Sequence, residues 1–107
     1  MKVLVTGAAG FIGGQLWHAL WQRGDEVVGI DNFSYGNLDN LKFDDHDFGP
    51  EVRRMDIRDR EAIPALFEAE KFDVVYNIAG IAPLPDCQSD PVQAVEVNTL
   101  GLVHLLE

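Results

Sequence analysis

Short apolar runs alternate along this chain with segments whose apolar residues recur at helical spacing, a pattern that predicts a parallel α/β sheet. Lys2-Val3-Leu4-Val5 opens the chain as a strand, with Val3 to Val5 as its apolar centre. The stretch from about Phe11 to Arg23 predicts a helix carrying Ile12, Leu16, Ala19 and Leu20 on one face, and Gly24 closes it. Glu26 to Ile30 predicts a second strand that ends in Asp31, and Val52 to Met55 a short third one. A second helix is expected from about Arg60 to Glu70, followed by a fourth strand from Phe72 to Ile78. Asp90 suits an N-cap, with Pro91 at the first position of a last helix reaching Glu107. No repeat, low-complexity tract or linker interrupts the pattern, so residues 1–107 read as one unit.

Composition narrows the field of ligands. The 107 residues include 18 aspartates and glutamates against 8 lysines and arginines, a formal charge of -10, which argues against a nucleic-acid partner. No apolar run has the length to span a membrane, and the N-terminus lacks a signal-peptide layout. Cys87 is the single cysteine, so neither a disulfide framework nor a cysteine-based zinc site is expected. A cytoplasmic protein with no membrane partner and no metal fits these features.

The candidate chemistry lies at the junction of the first strand and first helix. Thr6-Gly7-Ala8-Ala9-Gly10-Phe11-Ile12-Gly13 places three glycines at three-residue intervals where a buried strand turns into a helix. Gly7 permits a tight turn, Gly10 lets the backbone approach a diphosphate, and Gly13 allows close helix–strand packing. The helix N-terminus directs its free N–H groups and positive dipole end at that diphosphate. Asp31 ends the second strand 18 residues after Gly13, where a carboxylate accepts hydrogen bonds from both adenosine ribose hydroxyls. A 2′-phosphate would meet negative charge there, and no arginine is close in sequence, so NAD is expected over NADP.

These residues, together with Asp31-Asn32-Phe33-Ser34-Tyr35-Gly36-Asn37-Leu38 and Asp56-Ile57-Arg58-Asp59, resemble the extended short-chain dehydrogenases/reductases. The branch they are most similar to is the NAD-dependent nucleotide-sugar epimerases and dehydratases, of the UDP-glucose 4-epimerase-like type. The resemblance covers essentially the whole chain. It implies a Rossmann-type parallel sheet of about four strands in the order 3-2-1-4 with flanking helices. It further implies that Gly7, Gly10, Phe11 and Ile12 line the pyrophosphate, and that Asn32 and the turn from Ser34 to Asn37 wrap the adenosine. Asp56 and Ile57 would contact adenine, and Ile78-Ala79-Gly80 would run beneath the nicotinamide ribose. Asn98 would support the site from the last helix.

Two departures bear on the reaction. Epimerases and dehydratases usually carry His-Leu-Ala-Ala where this chain has Asn77-Ile78-Ala79-Gly80, which leans toward the classical short-chain reductases. The family's chemistry also needs a tyrosine with a lysine four residues later, whereas Asp39 follows Tyr35 and Gly80 follows Tyr76 at that spacing. The chain therefore reads as an N-terminal, cofactor-binding portion that ends before the catalytic and substrate-binding segments. Three readings stay open: part of a nucleotide-sugar epimerase or dehydratase, a simple short-chain oxidoreductase, or a non-catalytic NAD-binding module. An unpaired fourth-strand edge (Val74, Val75, Ile78) and the last helix (Val95, Leu102, Leu105, Leu106) would favour self-association as a homodimer or larger oligomer.

The remaining constellations carry less. Asp44-Asp45-His46-Asp47 reads as a solvated acidic loop, since four consecutive residues cannot all face one ion. Trp17 and Trp21, one helical turn apart, read as packing residues, and His18 and His104 lack partners at metal-ligand spacing. Pro83-Leu84-Pro85-Asp86 lies at the carboxyl edge of the sheet, as a connector or a border of the nicotinamide, and Cys87 beside it as an inert thiol.

Overall fold

The computed structural model describes residues 1–79 together with 90 and 92. Four parallel strands, β1 (Lys2–Thr6), β2 (Glu26–Asp31), β3 (Arg53–Arg54) and β4 (Val74–Asn77), form one sheet in the order β3-β2-β1-β4. Helix α1 (Phe11–Gln22) links β1 to β2, and α2 (Ala62–Glu70) links β3 to β4. The strand order and the flanking helices match those implied by the sequence resemblance.

Alternation along β1 shows why its apolar run is continuous. Val3 and Val5 face a layer made by α1 and the segment after β2, with Trp17, Leu20, Leu41 and Phe48 in the same cluster. Leu4 faces the other side, with Val28, Ile30, Ile57, Ile63 and Leu66. Both sheet faces are covered, so every position of the strand is selected for burial. On β2, an added Cβ at Gly29 would lie 2.5 and 2.7 Å from the Cε3 and Cη2 atoms of Trp17. Glycine there leaves room for an indole that is 2% exposed and lies 5.0 Å from the Phe48 ring, tilted by 30° to it.

The buried face of α1 differs from the one its apolar spacing predicts. Gly13, Gly14, Trp17 and Leu20 are buried, whereas Ile12 is 67% exposed and Ala19 is also exposed. The two glycines let the helix backbone itself press on the neighbouring chain, and that close approach sets the rotation. Other boundaries shift slightly. The ladder of β3 is confined to Arg53 and Arg54 opposite Ile30 and Asp31, and the Met55 N–H reaches the Asp31 carbonyl at 3.0 Å. Helix α2 starts at Ala62 rather than about Arg60, because the Asp59 carboxylate accepts the Glu61 and Ala62 N–H groups at 3.0 and 2.9 Å. Pro64 falls within the first turn of α2, where no intrahelical N–H is required.

The long connection from β2 to β3 folds over α1 through two short 3₁₀ helices, Leu38–Leu41 and Gly49–Glu51. His18 stacks on Phe43 at 4.0 Å and donates to Asp45 at 2.7 Å, while Trp21 stacks on His46 at 4.8 Å. His46 in turn bonds Glu51, and Asp47 accepts the Gly49 N–H at 2.8 Å. The acidic stretch thus anchors the connection, and the described residues contain no group of three potential metal ligands. No described helix is long and apolar enough to cross a membrane. The expected last helix, apart from Asp90 and Val92, lies outside the described residues, as do Gly80, Asn98 and the Pro83 to Cys87 stretch.

Candidate functional site

The site gathers at the carboxyl ends of β1, β2 and β3. Gly7 leaves β1 with a φ of +65°, and a Cβ there would stand 2.8 Å from the Ala79 nitrogen, so the turn and the approach of β4 both require glycine. A Cβ at Gly13 would overlap the Gly7 carbonyl group, its carbon lying 2.8 Å away. The helix therefore starts hard against the strand it follows. The N–H groups of Phe11, Ile12 and Gly13 belong to the first turn of α1, where intrahelical acceptors are lacking. No side chain caps that end, and no acidic residue occupies the first turn to compete with an anion. Phe11 is 74% exposed, so an apolar surface flanks these donors.

Asp31 is buried at 8% exposure and welded to the glycine loop. Its Oδ2 accepts the Ala9 N–H at 2.9 Å, and its Oδ1 accepts the Phe33 N–H at 2.7 Å. The second bond curls the chain into a left-handed residue, Phe33 at φ 64°. Each carboxylate oxygen accepts two hydrogen bonds, so the described residues leave one acceptor position on each. Two adjacent acceptors suit a vicinal diol. The sequence offers no arginine near Asp31, yet the fold supplies one: Arg54 pairs with Asp31 across β2 and β3, and its guanidinium lies 4.7 Å above the Phe33 ring.

Asp56 sits just past β3, with Asn32 Nδ2 at 3.3 Å from its Oδ2. Arg58 donates from Nε to both oxygens at 3.1 Å and from a terminal nitrogen at 2.7 Å, and its backbone N–H adds a bond at 2.9 Å. Chiefly because of the Arg58 side chain, and against the opposing effect of burial, the Asp56 carboxyl is held down at about 2. It stays an ionised acceptor throughout the neutral range. Ile57 beside it is 4% exposed and packs into the core, while Ile78, 37% exposed, lies at the other side of the site past β4. Thr6 ties that side down: its hydroxyl donates to Asn77 Oδ1 at 2.6 Å and accepts the Ala79 N–H at 3.1 Å.

The structure therefore brings Gly7, Gly10, Gly13, Asp31, Asn32 and Asp56 together around one edge of the sheet, with Ile78 and Ala79 continuing past β4. Sequence reasoning gave no site role to Thr6, Asn77, Arg58 and Asn40, and gave Asn37 only as part of the adenosine turn. The last two bond the Ala9 carbonyl from the β2–β3 connection, and their only local signal is their place after a glycine-containing turn.

A family profile described as the NAD dependent epimerase/dehydratase family matches residues 3–107. UDP-glucuronate 4-epimerase 1 of Arabidopsis thaliana is 37% identical over 111 residues, covering 100% of this chain and 26% of that protein. The UDP-glucose 4-epimerase of Thermus thermophilus in complex with NAD superposes with a TM-score of 0.84 at 38% identity, covering 99% of this chain and 32% of that one. The Thermotoga maritima UDP-glucose 4-epimerase with UDP-glucose gives a TM-score of 0.88 at 29% identity, covering 99% and 33%. The chain thus spans about a quarter to a third of the length of these relatives.

Proposed function

This chain belongs to the NAD dependent epimerase/dehydratase family, and from that premise we propose that residues 1–107 form the NAD-binding domain of a nucleotide-sugar epimerase or dehydratase. The observation that carries the reading is Asp31, whose buried carboxylate is bonded to the glycine loop yet retains an acceptor on each oxygen. When bound, NAD supplies a reversible hydride acceptor for the sugar. The chain's own residues bind and orient it. In this reading Gly7 and Gly10 let the backbone approach the diphosphate, Phe11, Ile12 and Gly13 receive it on first-turn N–H groups, and Asp31 holds the adenosine ribose. Asn32 flanks the adenosine, and Asp56 and Ile57, just past β3, meet the adenine. Ile78, Ala79 and Gly80 run under the nicotinamide ribose, with Asn98 as support.

The transfer of the substrate proton is assigned to residues outside this sequence, since no tyrosine here has a lysine four positions later. A simple short-chain oxidoreductase is the second reading, carried by Asn77 at the end of β4; net accumulation of NADH with substrate would select it. A cytoplasmic setting is supported by the single cysteine and the acidic composition. Self-association is supported by β4, which pairs only with β1 among the described residues and leaves Val75 36% exposed. Calorimetric titration of the full chain with NAD and NADP tests the proposal. NAD is expected to bind at least about tenfold more tightly, the effect of roughly one charge-assisted hydrogen bond, and failure to bind NAD would remove the reading.

A further inference from the structure

The β2–β3 connection does more than cover α1, because it fixes the carbonyl of the residue at the centre of the glycine loop. We propose that Asn40 is a positioning residue for the diphosphate-binding loop, acting through the Ala9 carbonyl. This inference rests on the NAD-binding reading above.

Ala9 is fully buried, and both of its peptide planes are clamped. Its N–H is held by Asp31 Oδ2 at 2.9 Å. Its carbonyl oxygen accepts two hydrogen bonds, from the Asn37 N–H at 2.9 Å and from Asn40 Nδ2 at 2.9 Å. A carbonyl oxygen has two acceptor positions, so both are filled from the connection. The same peptide plane contains the Gly10 N–H, which bonds the Gly7 carbonyl at 3.1 Å. The peptide preceding the first turn of α1 is therefore held at both ends, and the first-turn N–H groups are aimed before a ligand arrives. Such preorganisation raises affinity by removing the ordering cost from the binding step.

Asn40 is itself held in place. Its N–H bonds the Asn37 carbonyl at 3.0 Å, and the Asn37 side chain accepts the Asp39 N–H at 2.9 Å. Next in sequence, Leu41 is fully buried and its carbonyl accepts the N–H of the equally buried Phe48 at 2.9 Å. The first turn of α1 accommodates the connection: a Cβ at Gly14 would stand 2.5 Å from the Asn40 carbonyl oxygen. Glycine at position 14 thus serves the brace, a role distinct from that of Gly13 against β1.

The test compares ligands that do and do not use the loop. The full chain, Asn40→Ala and the isosteric Asn40→Asp are titrated calorimetrically with NAD, ADP and adenosine, and each is melted. Both variants lack the amide donor, and Asn40→Asp keeps the native shape if the alanine chain fails to fold. NAD and ADP are expected to bind roughly tenfold more weakly to both, the effect of one lost orienting hydrogen bond. Adenosine, which lacks phosphates, should change by less than about threefold on the same grounds. Unchanged NAD and ADP affinity in a folded variant overturns the proposal. Equal weakening of all three ligands also overturns it, because it marks general structural damage. A native chain that binds neither NAD nor ADP overturns the nucleotide reading itself and this inference with it.

Discussion

Asp31→Asn separates the ligand role of this carboxylate from its structural one. In the native chain Oδ2 accepts the Ala9 N–H at 2.9 Å and Oδ1 the Phe33 N–H at 2.7 Å. An amide offers one acceptor oxygen, so one of those N–H groups faces an NH₂ donor instead. A buried donor left in that state costs about 1–3 kcal/mol. For a chain of this length, each kcal/mol lowers the melting temperature by about 4–8 °C. Binding loses a second contribution, since a hydrogen bond from a ribose hydroxyl to a carboxylate is worth about 1.5–3 kcal/mol. NAD and ADP should therefore bind about 10- to 100-fold more weakly. NADP should lose less, because the substitution removes a like charge while Arg54, opposite Asp31 on β3, remains. The assay is a calorimetric cycle over native and variant chains with ADP and 2′-deoxy-ADP, alongside NAD, NADP and a thermal melt. Damage to the loop weakens both ADP ligands equally, whereas loss of the ribose bond weakens ADP more. A variant that melts cooperatively and loses equal affinity for ADP and 2′-deoxy-ADP refutes the ribose assignment.

Other perturbations follow from the same geometry. Gly29→Ala places a methyl 2.5 Å from Trp17 Cε3, so it should destabilise the fold by about 1–3 kcal/mol; an unchanged melting curve followed by tryptophan fluorescence would contradict the packing account. Asp56 has its carboxyl held at about 2 in the fold against an ordinary 3.8, principally by Arg58. A depressed carboxyl pKa stabilises the fold above pH 4 and loses that contribution as pH falls toward 2, giving about 1 kcal/mol after solvent screening. Asp56→Asn should accordingly be less stable than the native chain at pH 6 and equal to it near pH 2, and a gap constant with pH would sink the Arg58 explanation. Sedimentation should show concentration-dependent self-association through the outer edge of β4, whereas a monomer at all concentrations would rule that out.

The sequence made the sheet legible wherever burial acts on side chains. Val3, Leu4 and Val5 are all fully buried on alternating faces, so their continuous apolar run is a direct image of a strand covered on both sides. The glycine spacing and Asp31 were readable for a related reason, since each is a local backbone requirement written into residue identity. Apolar spacing failed on α1 because its closest contacts are made by Gly13 and Gly14, residues with no side chain to register in the pattern. Apolar spacing puts Ile12 on the packed face of α1, whereas it is exposed on the first turn, as the role that the resemblance gives it requires. The β2–β3 connection was opaque for another reason. Leu41 and Phe48 are fully buried there, but they are separated by turns rather than set at a helical or strand period. Contacts such as Asn40 to Ala9, 31 residues apart, leave no local trace at all.

The strand order explains why the site is divided as it is. Moving outward from β1, one direction leads to β2 and β3 and the other to β4, so the chain reverses its course across the sheet at β1. Ligands of open parallel sheets settle at the carboxyl ends of the strands where that reversal opens a crevice. Here the β1–β4 side is fastened by Thr6, whose hydroxyl joins Asn77 and the Ala79 N–H at 2.6 and 3.1 Å. The β1–β2 side is fastened by Asp31 through the Ala9 N–H, and the Ala9 carbonyl carries the constraint on to Asn37 and Asn40. In the NAD-binding reading proposed above, adenosine diphosphate recognition would draw on three successive stretches, the glycine loop, the segment from Asp31 to Asn40, and Asp56 with Ile57. Each is bonded or packed to its neighbours within the first 58 residues. In the same reading the nicotinamide end would begin at Ile78, just past β4. In that reading affinity and NAD selectivity would reside in the stretches that follow β1, β2 and β3, and the substrate chemistry in residues beyond β4.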